Sequence, residues 1–108
     1  MSLYEEGFDM VRKGKQVEVR LYDPKRQKLK VGDDLTFQKL PDREQSIETE
    51  ILQIQTFKTF KELYEGIGFE LLGRSDKTME WMLDSTRQMY TEEEEKKYGA
   101  VAIFIKAK

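Results

Sequence analysis

One short segment of the chain concentrates the side chains that could bind or react with a ligand. It reads Lys15-x-x-Glu18-x-Arg20 and ends at Tyr22. In a β-strand, residues two positions apart share a face, so Glu18, Arg20 and Tyr22 would point the same way. Opposite charges are costly to bury unless they pair with each other, with a ligand or with water. The predicted ligand-binding residues are Lys15, Glu18, Arg20 and Tyr22; an exposed strand face with an ordinary ion pair is the alternative.

The composition limits the chemistry that these residues can perform. The 108 residues include no Cys and no His, which excludes thiolate nucleophiles, disulfides, zinc–thiolate sites and imidazole-based catalysis. Any reaction must use Lys, carboxylates, hydroxyls or Arg. The sequence has no glycine-rich phosphate motif, and Asp33-Asp34 has the character of a solvated turn. We therefore expect no cofactor and no metal ion.

Charge is unevenly distributed along the chain, although the net charge is only −2. Residues 11–30 carry eight basic and two acidic side chains, so this segment has a charge of +6 and the remainder −8. A local positive field suits an anionic partner such as RNA or a nucleotide, whereas a solvated loop with acidic neighbours is the alternative. The predicted contacts with RNA phosphates are Arg12, Lys13, Lys25, Arg26, Lys28 and Lys30.

The pattern of apolar residues predicts the strands that position this segment. Val17, Val19 and Leu21 alternate with polar residues, which indicates a strand with those three side chains in the core. Further strands are predicted near residues 35–37, 47–57 and 100–105. The alternation of apolar and polar residues shifts by one position at Ile51-Leu52, as it does at a β-bulge or where both faces of a strand are covered. The last strand is continuously apolar, which is typical of a central strand buried on both faces.

Helical spacing predicts the remaining elements. The expected helices cover residues 3–13, about 59–67, about 76–90 and a short acidic stretch after residue 91. Thr59 with Glu62, and Thr91 with Glu94, have the spacing of a capping box. Strands interleaved with helices predict an α+β fold, a small curved sheet or partial barrel with helices at its ends, within one domain over residues 1–108. No apolar run is long enough to span a membrane, and we expect a cytoplasmic protein.

The order of these features resembles the ASCH domain (activating signal cointegrator homology), a member of the PUA-like superfamily. The Lys-x-x-Glu-x-Arg strand is followed by a basic loop, the turn Gly32-Asp33 and the segment 35–37, and residues 98–103 resemble the closing strand of the family. The resemblance implies a PUA-like β-barrel of about five to six mostly antiparallel strands, with flanking helices and an RNA-binding cleft. Lys15, Glu18 and Arg20 match positions that line the cleft, and Gly32 and Asp33 match the turn, where we expect a structural role.

One branch of this family consists of acetylcytidine amidohydrolases, in which a Lys nucleophile works with a Thr on the same strand and a Glu from elsewhere. Lys15 matches the nucleophile, but Glu18 stands at the position of the Thr. A neighbouring carboxylate favours the protonated, unreactive form of a Lys. The resemblance thus leaves amide hydrolysis of an acetylated cytidine nucleoside, with Lys15 and Glu18 as catalytic residues, as the alternative to binding.

Three functions therefore stay open. The first is an RNA- or nucleotide-binding module, in which Trp81, Tyr90 or Tyr22 stacks on a base. The second is the Lys-dependent amidohydrolase. The third is a protein-interaction or regulatory domain that docks a partner through the basic loop or the acidic run Glu92–Glu95, although such a run is also typical of a solvated helix N-terminus.

Overall fold

The computed structural model describes residues 1–14 and 16–108; Lys15, the predicted nucleophile and cleft residue, lies outside the described residues. Five strands form one sheet in the order β1–β3–β4–β5–β2. They are β1 (Ser2–Leu3), β2 (Val17–Leu21), β3 (Asp34–Lys39), β4 (Ser46–Phe57) and β5 (Ala100–Ala107). Neighbouring strands are antiparallel except β1 and β3, which are parallel. The sheet curves into a half-barrel, which confirms the predicted α+β fold with a partly closed barrel.

The two central strands behave as their sequences predict. β5 lies between β4 and β2, and it buries Val101 and Ile103 on one face and Ala100 and Ala102 on the other. The register of β4 against β5 shifts between Ile51 and Gln53, so the predicted β-bulge is confirmed. A bulge increases local twist, which helps a long strand bend around the core.

The described residues form four α-helices and one short 3-10 helix, Arg26–Lys28. The α-helices flank the sheet. They are α1 (Glu5–Arg12), α2 (Phe60–Ile67), α3 (Met79–Met89) and α4 (Glu92–Tyr98). The prediction that a helix begins near residue 76 is wrong, because Thr78 is the N-cap of α3 and its hydroxyl accepts the N–H of Trp81 at 3.1 Å. The prediction that the first helix begins at residue 3 is also wrong, because Ser2 and Leu3 pair with β3 instead.

The core has two parts, one on each face of the curved sheet. Val17 and Leu21 lie in the first part with side chains of α2 and α3, and Val19 packs against it. The second part contains Val11 of α1 and buried side chains of β3, β4 and β5. Glu18 faces Ile103 across the β2–β5 ladder and so points to that second part. Both faces of β2 are therefore covered, and the alternative of an exposed strand face is wrong.

No helix among the described residues is both long and apolar enough to cross a lipid bilayer.

Candidate functional site

A cavity of about 410 Å³ lies along the edge of β2 that does not pair with β5. One wall comes from β1, the start of α1 and β2, and the other comes from α2 and α3. The volume falls in the range of pockets that take small ligands. Its chemically informative lining residues are Glu18, Arg20, Tyr64, Trp81, Thr86 and Tyr90. The cavity therefore adjoins both edge strands of the sheet, β1 and β2.

Glu18 and Arg20 form the charged part of the strand wall, and they are only 5% and 8% exposed. Arg20 Nε lies 3.4 Å from Glu18 Oε1. Arg20 Nη2 donates a hydrogen bond to the carbonyl of Ser2 at 3.3 Å, which joins the two edge strands of the sheet. Among the described residues, no acceptor takes the hydrogen of the buried Arg20 Nε. A buried donor without an acceptor is unfavourable, so this wall is suited to a ligand that supplies one.

The backbone of Val19 adds a donor and an acceptor to the same wall. Ile105 N–H donates to Gln16 O at 2.8 Å, and Tyr22 N–H donates to Gly99 O at 2.9 Å. In an antiparallel ladder these bonds recur at every second residue, so the N–H and C=O of Val19 point to the free edge of β2. Val19 also lines the cavity. This part of the site could not be read from side-chain types.

The helical wall contains a hydrogen-bonded pair of hydroxyl groups. Tyr64 Oη lies 2.6 Å from Thr86 Oγ1, and Thr86 Oγ1 donates to the carbonyl of Met82 at 2.8 Å. Burial raises the pKa of the Tyr64 phenol, and the hydrogen bond with Thr86 opposes that change. Tyr64 is therefore a neutral phenol at physiological pH. The sequence reasoning missed both residues as site residues, because their helical spacing indicates core positions.

The three aromatic residues predicted to stack on a base differ in their surroundings. Trp81 is 40% exposed at the cavity, and Arg74 Cζ and Lys77 Nζ lie 5.4 Å and 4.7 Å from its ring centroid. Tyr90 also lines the cavity, but its ring stacks on Phe60 at 5.5 Å. Tyr22 packs against the second part of the core and is not among the residues that line this cavity. Of the three, Trp81 is the one whose side chain is exposed at the cavity.

A buried carboxylate holds the helical wall together. Glu95 is 8% exposed; its Oε2 accepts the N–H of Phe60 at 2.7 Å, and its Oε1 accepts from Arg87 Nη2 at 2.5 Å. These bonds join α4 to the beginning of α2 and to α3. Glu94 completes a capping box with Thr91. The run Glu92–Glu95 is therefore only partly a solvated acidic face.

The ASCH domain model matches residues 1–108 of this chain. The chain belongs to the ASCH domain family. It is also similar to the crystal structure of hypothetical protein PH0355, with 36% sequence identity, a TM-score of 0.85, and coverage of 100% of this chain and 96% of that chain. The chain is similar as well to the solution NMR structure of protein PF0455 from Pyrococcus furiosus. The sequence identity is 33% and the TM-score is 0.78, and the match covers 99% of this chain and 94% of that chain. No curated protein matches the chain.

The basic loop of this ASCH domain contains one ion-paired arginine and several exposed lysines. Arg26 Nη1 lies 2.9 Å from Asp23 Oδ2, whereas Lys25, Lys28 and Lys30 are exposed. The loop closes at a turn in which Asp33 Oδ2 accepts the N–H of Lys30 at 3.0 Å. The preceding residue, Gly32, has a φ of +92°, which favours glycine. These contacts match the structural role that was expected of the turn.

Part of the loop lies within electrostatic range of the cavity. Burial lowers the pKa of the Met1 ammonium, and the positive charges of Arg20, Lys25 and Arg26 lower it further. The field of the loop therefore overlaps that of Arg20. Of the other predicted phosphate contacts, Arg12 and Lys13 are exposed on or just after α1, and Arg12 Nη2 donates to Gln45 Oε1 at 2.8 Å.

The structure thus places Glu18 and Arg20 together in the cavity of the ASCH domain and leaves Tyr22 outside it. Since Lys15 lies outside the described residues, its distance from Glu18 is not part of this geometry. Within residues 1–14 and 16–108, no three acidic side chains are arranged to hold a metal ion.

Proposed function

We propose that this ASCH domain binds RNA or a nucleotide, with one base in the cavity and the phosphates along the basic loop. The main support for the proposal is that one cavity contains both a buried ion pair, Glu18 with Arg20, and an exposed aromatic ring, that of Trp81. Bases need both kinds of contact, because their faces stack on aromatic side chains and their edges form hydrogen bonds.

The strand wall suits the edge of a base. Arg20 supplies a charged donor with an unused N–H, and Glu18 supplies a carboxylate acceptor. Hydrogen bonds that involve charged groups are stronger than neutral ones, and inside a cavity they are less screened by water. The N–H and C=O of Val19 add a neutral donor and acceptor beside them. A base edge with both donors and acceptors can pair with this wall.

The exposed lysines suit phosphates. Lys25, Lys28 and Lys30 are exposed, and the charge of Lys25 adds to the positive field near Arg20. Contacts of this kind release counterions, so the affinity falls steeply as the salt concentration rises. Arg26 contributes less, since Asp23 already neutralises it.

The direct test measures binding of a short single-stranded RNA by fluorescence anisotropy at about 50 and about 200 mM salt. We expect binding at low salt that weakens at high salt, and competition by free nucleosides at a given salt concentration, since these carry no phosphate and reach only the cavity. Absence of RNA binding at low salt would refute the proposal. RNA binding without competition by nucleosides would limit the proposed contacts to the basic loop and exclude the cavity.

Amide hydrolysis of an acetylated cytidine is the second candidate, because the buried carboxylate of Glu18 lines a cavity of nucleoside size. Turnover of N-acetylated cytidine by the wild type and by Lys15→Ala separates catalysis from binding. A rate above background that is lost in the variant supports the enzyme, and equal background rates reject it. For the protein-interaction function, the bonded state of Glu94 and Glu95 removes part of the acidic surface that a partner would use.

A further inference from the structure

A second concave surface contains Tyr22, the predicted ligand-binding residue that lies outside the cavity. This surface, which we call the basic groove, has a volume of about 630 Å³ and lies where the chain leaves β2. Besides Tyr22, its lining comes from residues 56–59, at the junction of β4 and α2, and residues 96–99, at the junction of α4 and β5. Tyr22 is the only one of these residues for which the sequence predicts a ligand contact.

The close approach of two backbone segments brings the lining residues together. Gly99 has a φ of +75°, and a Cβ on this residue would lie only 2.6 Å from the carbonyl oxygen of Phe57. Glycine allows this approach because it has no Cβ. The carbonyl of Gly99 also accepts the N–H of Tyr22 at 2.9 Å. Lys58, which follows Phe57, and Lys97, two residues before Gly99, are consequently held beside the same groove.

The charge of the basic groove is positive. Three of its described lining residues are exposed lysines: Lys58, Lys96 and Lys97. Among the described residues that line the groove, none is acidic. Two acidic residues directly adjoin the lining segments in sequence, and each is paired with an arginine: Asp23 with Arg26 at 2.9 Å, and the buried Glu95 with Arg87 at 2.5 Å. The groove is therefore suited to an anion, although it lies in a part of the chain whose sequence is mainly acidic.

Aromatic rings and proximity to the cavity favour RNA over an acidic protein as that anion. Tyr22 and Tyr98 lie beside the lysines, and cations together with aromatic rings are typical of surfaces that bind single-stranded nucleic acid. Tyr22 follows Arg20 by two residues, or about 7 Å along a strand. Thr59 of the groove immediately precedes Phe60, which lines the cavity. An RNA strand with one base in the cavity can therefore reach the groove with its neighbouring nucleotides.

We propose that the basic groove binds phosphates of the nucleotides that flank the base in the cavity, so that one RNA strand contacts both surfaces. This inference rests on the proposed function, and it adds a second set of phosphate contacts to those of the basic loop. Lys58 and Lys96 are the principal contacts. Lys97 contributes less, since its Nζ lies 5.2 Å from the centroid of the Tyr98 ring and so already has a partner.

The test measures how the affinity for a single-stranded RNA of about eight nucleotides depends on salt, by fluorescence anisotropy. Each phosphate contact contributes about 0.7 to the slope of log affinity against log salt. The slope should decrease by about 0.7 in Lys58→Gln and in Lys96→Gln, and by about 1.4 when both are combined. In the double variant, the ratio of the affinities at about 50 and about 200 mM salt should fall about sevenfold.

Lys106→Gln is the matched control for the single variants, because Lys106 is an exposed lysine at the opposite end of β5 from the groove. Its slope should equal that of the wild type. Nucleoside affinity should be the same in every variant, since a nucleoside carries no phosphate. Lys96 also lies in the last turn of α4, where a cation stabilises the helix end. Loss of that structural role alone would lower the free energy of unfolding and leave the salt slope unchanged.

The outcomes separate the two proposals. If the wild-type chain binds neither RNA nor a nucleoside at low salt, the proposed function fails and this inference fails with it. If RNA binds and the double variant keeps the slope of the wild type, the inference is overturned while the proposed function stands.

NMR titration locates the contact. RNA should shift the amide signals of Lys58 and Gly99 in the wild-type chain. If a polyglutamate peptide shifts these signals and RNA does not, the groove accepts an acidic protein segment, and the inference is overturned.

Discussion

Two buried carboxylates among the described residues, Glu18 and Glu95, differ in their contacts with an arginine. Their exposure is similar, at 5% and 8%. Glu95 is held by Arg87 Nη2 at 2.5 Å and by the N–H of Phe60 at 2.7 Å. Glu18 lies 3.4 Å from Arg20 Nε, whose hydrogen has no acceptor among the described residues. The first pair joins three helices, and the second lines the cavity.

Whether a buried charge stabilises the fold or is suited to a ligand depends on how completely its hydrogen bonds are formed. A buried polar group whose hydrogen bonds are complete stabilises the fold, and little remains for a ligand to satisfy. A buried donor without an acceptor destabilises the folded state by about 1–3 kcal/mol, which a suitable ligand recovers on binding. We therefore attribute a role in stability to the Glu95 pair, and we propose a role in binding for the Glu18–Arg20 pair.

The largest expected effect is on stability. Glu95→Ala removes the acceptor of the Phe60 N–H and leaves Arg87 without its close partner, so the free energy of unfolding should fall by about 2–3 kcal/mol. The loss is below that of a fully buried pair because a third of the Arg87 side chain is exposed. Urea denaturation followed by circular dichroism measures it.

The matched control is Glu93→Ala, which removes an exposed glutamate from the same helix. Its unfolding free energy should change by less than about 0.5 kcal/mol. Equal losses for the two variants would mean that Glu95 contributes only the general charge of α4, and the contrast with Glu18 would disappear.

The next effect concerns binding. Arg20→Lys keeps a positive charge beside Glu18 but removes the planar group that bonds Ser2 and presents the unused Nε donor. RNA or nucleoside affinity should fall by about 2 kcal/mol, or roughly thirtyfold, measured by anisotropy or NMR titration. The unfolding free energy should change by less than that amount. A variant that loses stability but retains full affinity would place Arg20 with Arg87 as a structural residue.

A smaller loss of affinity is expected at the helical wall. Trp81→Ala removes the exposed ring, and stacking of one base on it is worth about 1–1.5 kcal/mol. Trp81→Phe should recover most of this loss because it retains an aromatic face. If Met89→Ala, which removes another exposed apolar side chain of the cavity, weakens binding as much, then general apolar contact and not stacking explains the effect.

The stability of the fold should also depend on pH through Tyr64. Since burial raises the pKa of Tyr64 above its usual value of 10.0, the folded state favours the protonated phenol. Its contribution to stability is complete below pH 10.0 and is lost as the pH rises through the folded-state pKa. The stability advantage of the wild type over Tyr64→Phe should therefore decrease above that pH. Denaturation curves at several alkaline pH values measure the decrease, and an unchanged difference would contradict it.

Local patterns sufficed to predict much of the fold. The alternation in β2, the parity slip at Ile51, the continuous apolar run of β5 and the turn at Gly32-Asp33 each depend on near neighbours in the chain. They were predicted correctly because backbone conformation and side-chain period constrain a strand or turn within a few residues. The pair Glu18 and Arg20 was found in the same way.

The remaining features depend on contacts between distant segments. β1 is only two residues long, so it is too short to show an alternation of apolar and polar residues. It forms a strand because it pairs with the edge of β3. Tyr64 and Thr86 are 22 residues apart, and Glu95 reaches Phe60 over 35 residues. In the sequence, Tyr64 and Thr86 have the spacing of ordinary core residues, and Glu95 is one of four consecutive glutamates. Only packing of the helices distinguishes them.

The smallest expected effect tests whether the loop acts with the cavity. Lys28→Ala removes one exposed charge, so the slope of log affinity against log salt should decrease by about 0.7 for a single-stranded RNA. Lys106→Ala is the control, because Lys106 faces Glu50 across the β4–β5 ladder; its slope should equal that of the wild type. Nucleoside affinity should stay the same in both variants, since nucleosides carry no phosphate. A slope that is unchanged in Lys28→Ala would remove this lysine from the phosphate contacts, and RNA recognition would then depend on the buried pair in the cavity.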